Sequence, residues 1–500
     1  MKHSLAGITQ YRNKNNTKID GIIKHRYSDF LVCETFKNEK PLTLTQKETA
    51  AADPALENTL GENCRRFLET IDKEQPKTEL KACTDPIGEK DTREKIHCYI
   101  RNRYGGRVST KTLQENRIML STGKDRKATL SFSLYKENTG TTAAIETLGK
   151  ALRKNTRSFS FAGTKDKRAV TIQKVSVRET RVDELENIAL PHNLRIGNIA
   201  PSKKPVQLGE HSGNHFHLFI RNIATLAEMT HEEKTGKIGE IRKNIEAIKQ
   251  NGFINYFGMQ RFGVDSETPT HTVGAHMMRG EWEKACKTIL GSSSKTRNFI
   301  ERKIEKHLEK RKEDYKGALD ALPWSTRTLY LHALQSYLWN FSVSKVLEEG
   351  ADELHAVPGY RHGDFSQTVK DAMLQLGLSP EVFAEACKRL NLPGTQRKTV
   401  VVPENLGFAF VEYTDINTHV LEKELAAMRG ENREEAPLDY IEYVDEIPQT
   451  QAGAFLGLKL SFSLPQSSYA TMLLRELLRN ETGAQHHAAS SAETLKAIDD

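Results

Sequence analysis

Leu130, Phe132 and Leu134 alternate with Ser131, Ser133 and Tyr135 in ATLSFSLYKE, a period of two that predicts a strand. The following TTAAIETLGKALRK has the spacing of an amphipathic helix. SFSFAG enters a short turn as a strand, and AVTIQKVSVR leaves it as another. HFHLFIRNI (215–223) predicts a further strand, and GIIKHRYSDFLVCE carries a first one near residues 29–35. EIRKNIEAIKQNG (240–252) reads as a helix that stops at Gly252, a residue suited to the left-handed end of a helix. From about 272 to 349 the pattern turns helical. KTRNFIERKIEKHLEKRKEDY is basic, and Tyr330, Leu334, Tyr337 and Phe341 fall on one stripe of a core helix. Short strands and turns are expected over 350–455. LKLSFSLPQSSYATMLLRELLRN then gives a strand, a proline break and a helix, before a small, polar tail from about 484 that is expected to fray.

Residues 37–125 interrupt this order. They are polar, rich in lysine and glutamate and weakly periodic, which predicts a surface insertion with some short helices, partly disordered and outside the active site. The 500 residues are 37% hydrophobic and 28% charged, enough apolar material for two or three domains. No apolar run approaches the roughly 18 residues of a membrane span. The N-terminus lacks a sustained apolar stretch, so an intracellular, soluble protein is expected. A net charge of +7 permits a polyanionic partner without demanding one. The six cysteines form no CxxC pair, and reduced thiols suit cytoplasm or nucleus. STGKDRKAT has a GK pair, but Ile118 stands where a phosphate-binding loop needs its first glycine. No GxGxxG opens a helix, no HExxH occurs, and His486–His487 lies in the polar tail; neither cofactor nor metal is expected.

The chemistry gathers in a few stretches. FAGTKDKRAVTIQ (161–173) sets one carboxylate, Asp166, among Lys165, Lys167 and Arg168 in a turn between strands. On its own it reads as a solvated, charged turn. GFINYFGMQRFG (252–263) packs Asn255, Tyr256, Phe257, Arg261 and Phe262 between glycines, a composition that suits a platform on which a planar base stacks. LHALQSYLWN and SFSLPQSSYAT complete the set, with KENTGT (136–141) and GNHF (213–216) beside them.

Taken together these stretches resemble the TruD family of pseudouridine synthases, most closely its eukaryotic branch. The match runs from about 21 to 480 apart from 37–125. The central signature falls on Gly163, Lys165, Asp166, Ala169, Thr171 and Gln173. The chain departs from the family at Ser467, where a glycine is usual, which strains the turn if φ is positive there.

The resemblance implies an α+β fold: a catalytic domain with a mixed, largely antiparallel sheet, over 1–271 and 456–500, plus an inserted α/β TRUD domain over 272–455. It implies isomerisation of uridine to pseudouridine in RNA, at tRNA uridine thirteen and in other RNAs including mRNA. Asp166 would be nucleophile or base. Lys24 would be its partner, Phe257 would stack on the flipped base, and Asn255 would meet the uracil edge or the acid. Phe30 would be pocket wall or plain core. Lys165, Lys167 and Arg168 cannot all face the acid, so some would contact phosphates; Arg261 would be a phosphate contact or a structural pair. A monomer working without cofactor or metal in nucleus or cytoplasm is expected. The competing reading is a non-catalytic RNA-binding or RNA-folding protein on the same scaffold.

Overall fold

The computed structural model describes residues 3–45, 54–73, 80–104, 108–122, 128–227, 229–263, 269–291, 299–348, 355–431, 439–449 and 453–480. The chain divides into two compact units. One comprises Met1–His25, Leu218–Thr418 and Asp439–Asp500; the other comprises Arg26–His217 and His419–Leu438. The division falls inside the strand Gly213–Thr225.

In the unit built on Arg26–His217, the strand Val170–Thr180 is central. It runs parallel to Phe30–Thr35, with Leu31 opposite Val170, and antiparallel to Ala128–Glu137 and Phe159–Phe161. Leu194–Pro201 pairs antiparallel with Ala128–Glu137 on its other edge. The sheet is therefore mixed and mostly antiparallel, as expected. Leu130, Phe132, Leu134, Val175 and Val177 pack with Ile145 and Leu148 of the helix Thr141–Ala151. The alternation seen in the sequence stops at Phe132. From Phe132 to Lys136 both faces of the strand are buried, including Ser133 and the Lys136 side chain.

Among the described residues, the segment 37–125 holds more structure than the expected surface insertion with short helices. Helices Gly61–Lys73 and Lys90–Tyr104 enclose a core with the three-stranded antiparallel sheet of Lys81–Cys83, Ile118–Ser121 and Ser109–Thr112. Its apolar residues are few but correctly spaced. Cys64, Phe67, Leu68 and Ile71 make one helical face, and Ile96, Tyr99, Ile100 and Tyr104 make another. RRF (65–67) turns Phe67 into that core and leaves its arginines exposed. In RNRYGGR, Tyr104 is buried and Arg103 pairs with Asp72 at 3.3 Å, whereas 105–107 lie outside the described residues.

In the other unit, Phe455–Pro465 lies between Gly213–Thr225 and Glu404–Tyr413, and the latter also pairs with Tyr440–Tyr443. The helix His231–Asn251 starts nine residues before the expected 240. Its start is a capping box: Thr230 Oγ1 accepts the Glu233 N–H at 3.2 Å, and Glu233 accepts the Thr230 N–H at 2.8 Å. It ends at Gly252 with φ of +70°, as expected. The helical body begins at Thr270, where the pattern changes, and its core joins Leu334 and Leu338 to Val273, Met277, Phe383 and Cys387. Residues 350–455 hold more helix than expected, in Gln367–Gln375, Pro380–Arg389 and Glu422–Arg429, the last of which falls in the unit of Arg26–His217. Cys33, Cys64, Cys286 and Cys387 are buried, and Cys83 and Cys98 are exposed.

Candidate active site

The turn that carries Asp166 joins Phe159–Phe161 to Val170–Thr180, and a buried polar network fixes its path. Gln173 Nε2 donates to the Gly163 carbonyl at 2.9 Å. Thr141 Oγ1 donates to Gln173 Oε1 at 2.9 Å and accepts the Lys165 N–H at 3.0 Å. Lys136 Nζ donates to the Asp166 carbonyl at 2.9 Å and to the Thr139 carbonyl at 2.6 Å. Asn138, in the left-handed region with φ of +46°, donates its N–H to the Ala169 carbonyl at 3.0 Å. The KEN stretch and the helix that begins at Thr141 thus hold the turn from beneath.

The basic residues around Asp166 divide. Lys165 Nζ lies 2.8 Å from Glu34 Oε1 and donates to Asn214 Oδ1 at 2.6 Å, with its side chain almost fully buried. Glu34 Oε2 in turn accepts the Lys174 N–H at 2.8 Å. Lys167 and Arg168 are exposed, and Asp166 itself is half-buried. So Lys165 turns inward, while Lys167 and Arg168 lie at the surface. Burial lowers the Lys136 ammonium to about 8, with Asp166 pulling it up and Lys165 pushing it further down. Phe30 is core: it is 3% exposed and meets Phe216 edge-on at 6.1 Å.

Lys24, Asn255, Phe257 and Arg261 belong to the other unit. Lys24 follows the short strand Ile22–Ile23 in the left-handed region, with φ of +56° and a half-buried side chain. Asn255 is buried. Its Nδ2 donates to the Lys398 carbonyl at 3.1 Å, and its Oδ1 accepts from Arg397 Nη2 at 3.0 Å. Arg397 also donates to the Asn255 carbonyl, from Nε at 3.0 Å and from Nη2 at 2.7 Å. The same guanidinium lies 4.0 Å from the centre of the Phe257 ring, covering one face, and 5.0 Å from that of Trp339. Phe257 exchanges backbone hydrogen bonds with the Asn340 side chain, which connects LHALQSYLWN to NYFG. Arg261 Nε donates to the Tyr469 hydroxyl at 3.1 Å. Beside these groups opens a cavity of about 640 Å³, lined by Asn255, Phe257, Arg261, Arg397, Lys398 and Ser467 among others. Its cations and amides suit a planar polar group with an anionic neighbour.

Glycine is required in this wall: a Cβ on Gly258 would sit 2.9 Å from Tyr469 Cδ1. Ser467 has φ of +62°, so the departure from glycine noted in the sequence does fall on a left-handed position. Sequence reasoning assigned no role to Glu34, Lys136, Asn214 or Arg397. KEN and GNHF, which hold Lys136 and Asn214, were visible as motifs; Glu34 closes a recognised strand; Arg397 gave no signal.

The family model described as tRNA pseudouridine synthase D (TruD) matches residues 108–299 and 292–477. "Pseudouridylate synthase 7 homolog" of Homo sapiens is 27% identical over 587 residues, covering 99% of this chain and 84% of that protein. "Multisubstrate pseudouridine synthase 7" of Schizosaccharomyces pombe is 26% identical, covering 97% and 91%. "Probable tRNA pseudouridine synthase D" of Methanosarcina barkeri is 30% identical, covering 70% and 87%. In fold, the chain is similar to the crystal structure of the TruD protein from Methanosarcina mazei, with a TM-score of 0.53 at 21% identity, covering 96% of this chain and 98% of that one.

Proposed function

The chain belongs to the TruD family of tRNA pseudouridine synthases, and from that premise we propose how its residues turn uridine into pseudouridine. It is an RNA pseudouridine synthase, an intramolecular isomerase. The reaction breaks the N1–C1′ bond, turns the base and joins C5 to C1′. The C5 proton leaves and N1 gains one, so atoms and electrons balance without a redox partner.

Asp166 is the reacting group, either attacking C1′ or taking the C2′ proton on a glycal route. The Lys136 ammonium, which donates to the Asp166 carbonyl at 2.9 Å, supports that role. Phe257 and Asn255 receive the base once it leaves the RNA stack. Lys24 supports the charge of the acid. Lys167 and Arg168 contact phosphate, and Arg261 steadies the pocket wall through Tyr469. The locked turn around Asp166 is the observation that carries this reading: a solvated charged turn needs no buried network of Lys136, Thr141, Gln173, Lys165 and Glu34.

The substrate is tRNA at uridine thirteen, with mRNA and other structured RNAs as further targets, and the enzyme acts as a monomer in nucleus or cytoplasm. Among the described residues no helix is long and apolar enough to cross a membrane.

The test uses a tRNA transcript tritiated at uridine C5, because pseudouridine formation releases that hydrogen. Wild type releases tritium; Asp166→Asn releases none and binds the transcript within about twofold of wild type, since phosphate contacts dominate affinity. Wild-type turnover in Asp166→Asn removes this residue from the chemistry. A folded wild type that makes no product on several RNAs favours the binding-protein reading.

A further inference from the structure

We propose that Lys136 is a positioning residue of the isomerisation: its buried ammonium clamps the Asp166 backbone carbonyl and so sets where the carboxylate stands. The inference rests on the reading of Asp166 as the reacting group.

The geometry supports the clamp. Lys136 is fully buried on the strand Ala128–Glu137, and its Nζ reaches the carbonyls of Asp166 and Thr139 at 2.9 and 2.6 Å. These two carbonyls accept two of its three hydrogens but do not neutralise its charge. A buried cation without an opposite charge is costly, so its retention needs an acid. The charged groups around it point to which one. Lys165 is compensated by Glu34 at 2.8 Å. Glu137, the next residue along the strand, pairs with Arg429 at 2.6 Å and accepts from the Tyr135 hydroxyl at 2.6 Å. His211, near Lys165, is held below its ordinary range by burial and by that lysine, so it adds no cation at neutral pH. Asp166 is the acid that acts on Lys136 favourably. One ammonium therefore fixes the backbone of the acid and balances its charge.

The titration agrees with the geometry. Burial brings Lys136 to about 8, near the assay range. Above that value it becomes a neutral amine, so the Asp166 carboxylate loses a nearby cation and its carbonyl loses a charged donor.

The experiment measures single-turnover and steady-state rates of the full chain on the tritiated tRNA from about pH 7 to about pH 9, with melting curves for every variant. Asp166→Asn is assayed first. Lys136→Met removes charge and donors at similar length, and Lys136→Gln keeps a neutral donor. In wild type the rate is expected to fall above about pH 8 while the protein stays folded. Lys136→Met is expected to lower kcat by about 100-fold with KM for tRNA within about twofold, because a small misplacement of a reacting group costs that much. Its remaining rate is expected to be flat across the range, with Lys136→Gln intermediate in kcat and equally flat. A Lys136→Met or Lys136→Gln enzyme with wild-type kcat, or with an unchanged alkaline fall, overturns the proposal. So does a folded wild type whose rate is constant to about pH 9, which decides the matter even if neither variant folds. An active Asp166→Asn sinks the underlying reading instead; an inactive Asp166→Asn beside a fully active Lys136→Met sinks the clamp alone.

Discussion

Arg397 brings a full charge into a nearly sealed place and uses it for shape. Burial lowers it to about 10, so it remains a cation at neutral pH. It reaches both the carbonyl and the Oδ1 of Asn255 while its guanidinium carbon lies 4.0 Å from the centre of the Phe257 ring, a combination that suits a planar fork. Arg397→Met is expected to leave those oxygens unpaired at a cost of about 1–3 kcal/mol, lowering Tm by several degrees and kcat by at least tenfold. Arg397→Lys is expected to recover less than half of the lost kcat, since one ammonium cannot serve both oxygens and the ring. Melting curves and tritium release check both; a Lys variant equal to wild type would show that charge, not geometry, matters. Lys136 gives a second residue-scale trend, in stability. Its folded value of about 8 lies below its ordinary 10.5, so between them the unfolded chain binds more protons. Its contribution to stability therefore rises with pH through the window in which activity is expected to fall. At this scale Asp166 was singled out through the resemblance of its whole stretch to the family signature, since one acid among bases reads on its own as a charged turn. Arg397 was not, because its partners come from 255–257, 339 and 469, and no local pattern joins them.

Among elements, the turn after Phe455–Pro465 carries avoidable strain. Ser467 sits at φ of +62°, where a Cβ crowds the backbone and glycine does not. Ser467→Gly is expected to stabilise the protein by about 0.5–1 kcal/mol, seen as a small rise in Tm; a fall would mean that the serine side chain repays its conformation. The helix before Gly252 shows what periodicity misses. HEEKTGKIG is polar with two glycines, so no apolar stripe announces the first turns of His231–Asn251. The capping box at Thr230 and Glu233 was the readable signal. The strand Ala128–Glu137 shows the converse. Its alternation gave the right element but the wrong environment, because neighbours on both faces bury Ser133, Tyr135 and Lys136.

For the whole molecule, the segment 37–125 carries the main lesson. Composition made it look like a surface insertion with little core of its own, yet among the described residues thirteen buried side chains share one core. Mean polarity hides a small number of apolar side chains when they all fall on facing stripes. Ile100→Ala, at a fully buried position, is expected to cost this core about 2–5 kcal/mol. Amide protection is expected to drop in Gly61–Lys73 and Lys90–Tyr104 and to persist in Val170–Thr180; equal loss everywhere would show one cooperative body. The distribution of cysteines has a practical consequence for that segment. Burial pushes Cys33, Cys286 and Cys387 up to about 12 and Cys64 up to about 11, so these thiols are inert toward alkylating dyes at neutral pH. Cys83 and Cys98, the exposed pair, both lie in the insertion. The native chain thus offers its own attachment points for fluorophores, confined to this small folded core, and leaves the turn that carries Asp166 unmarked.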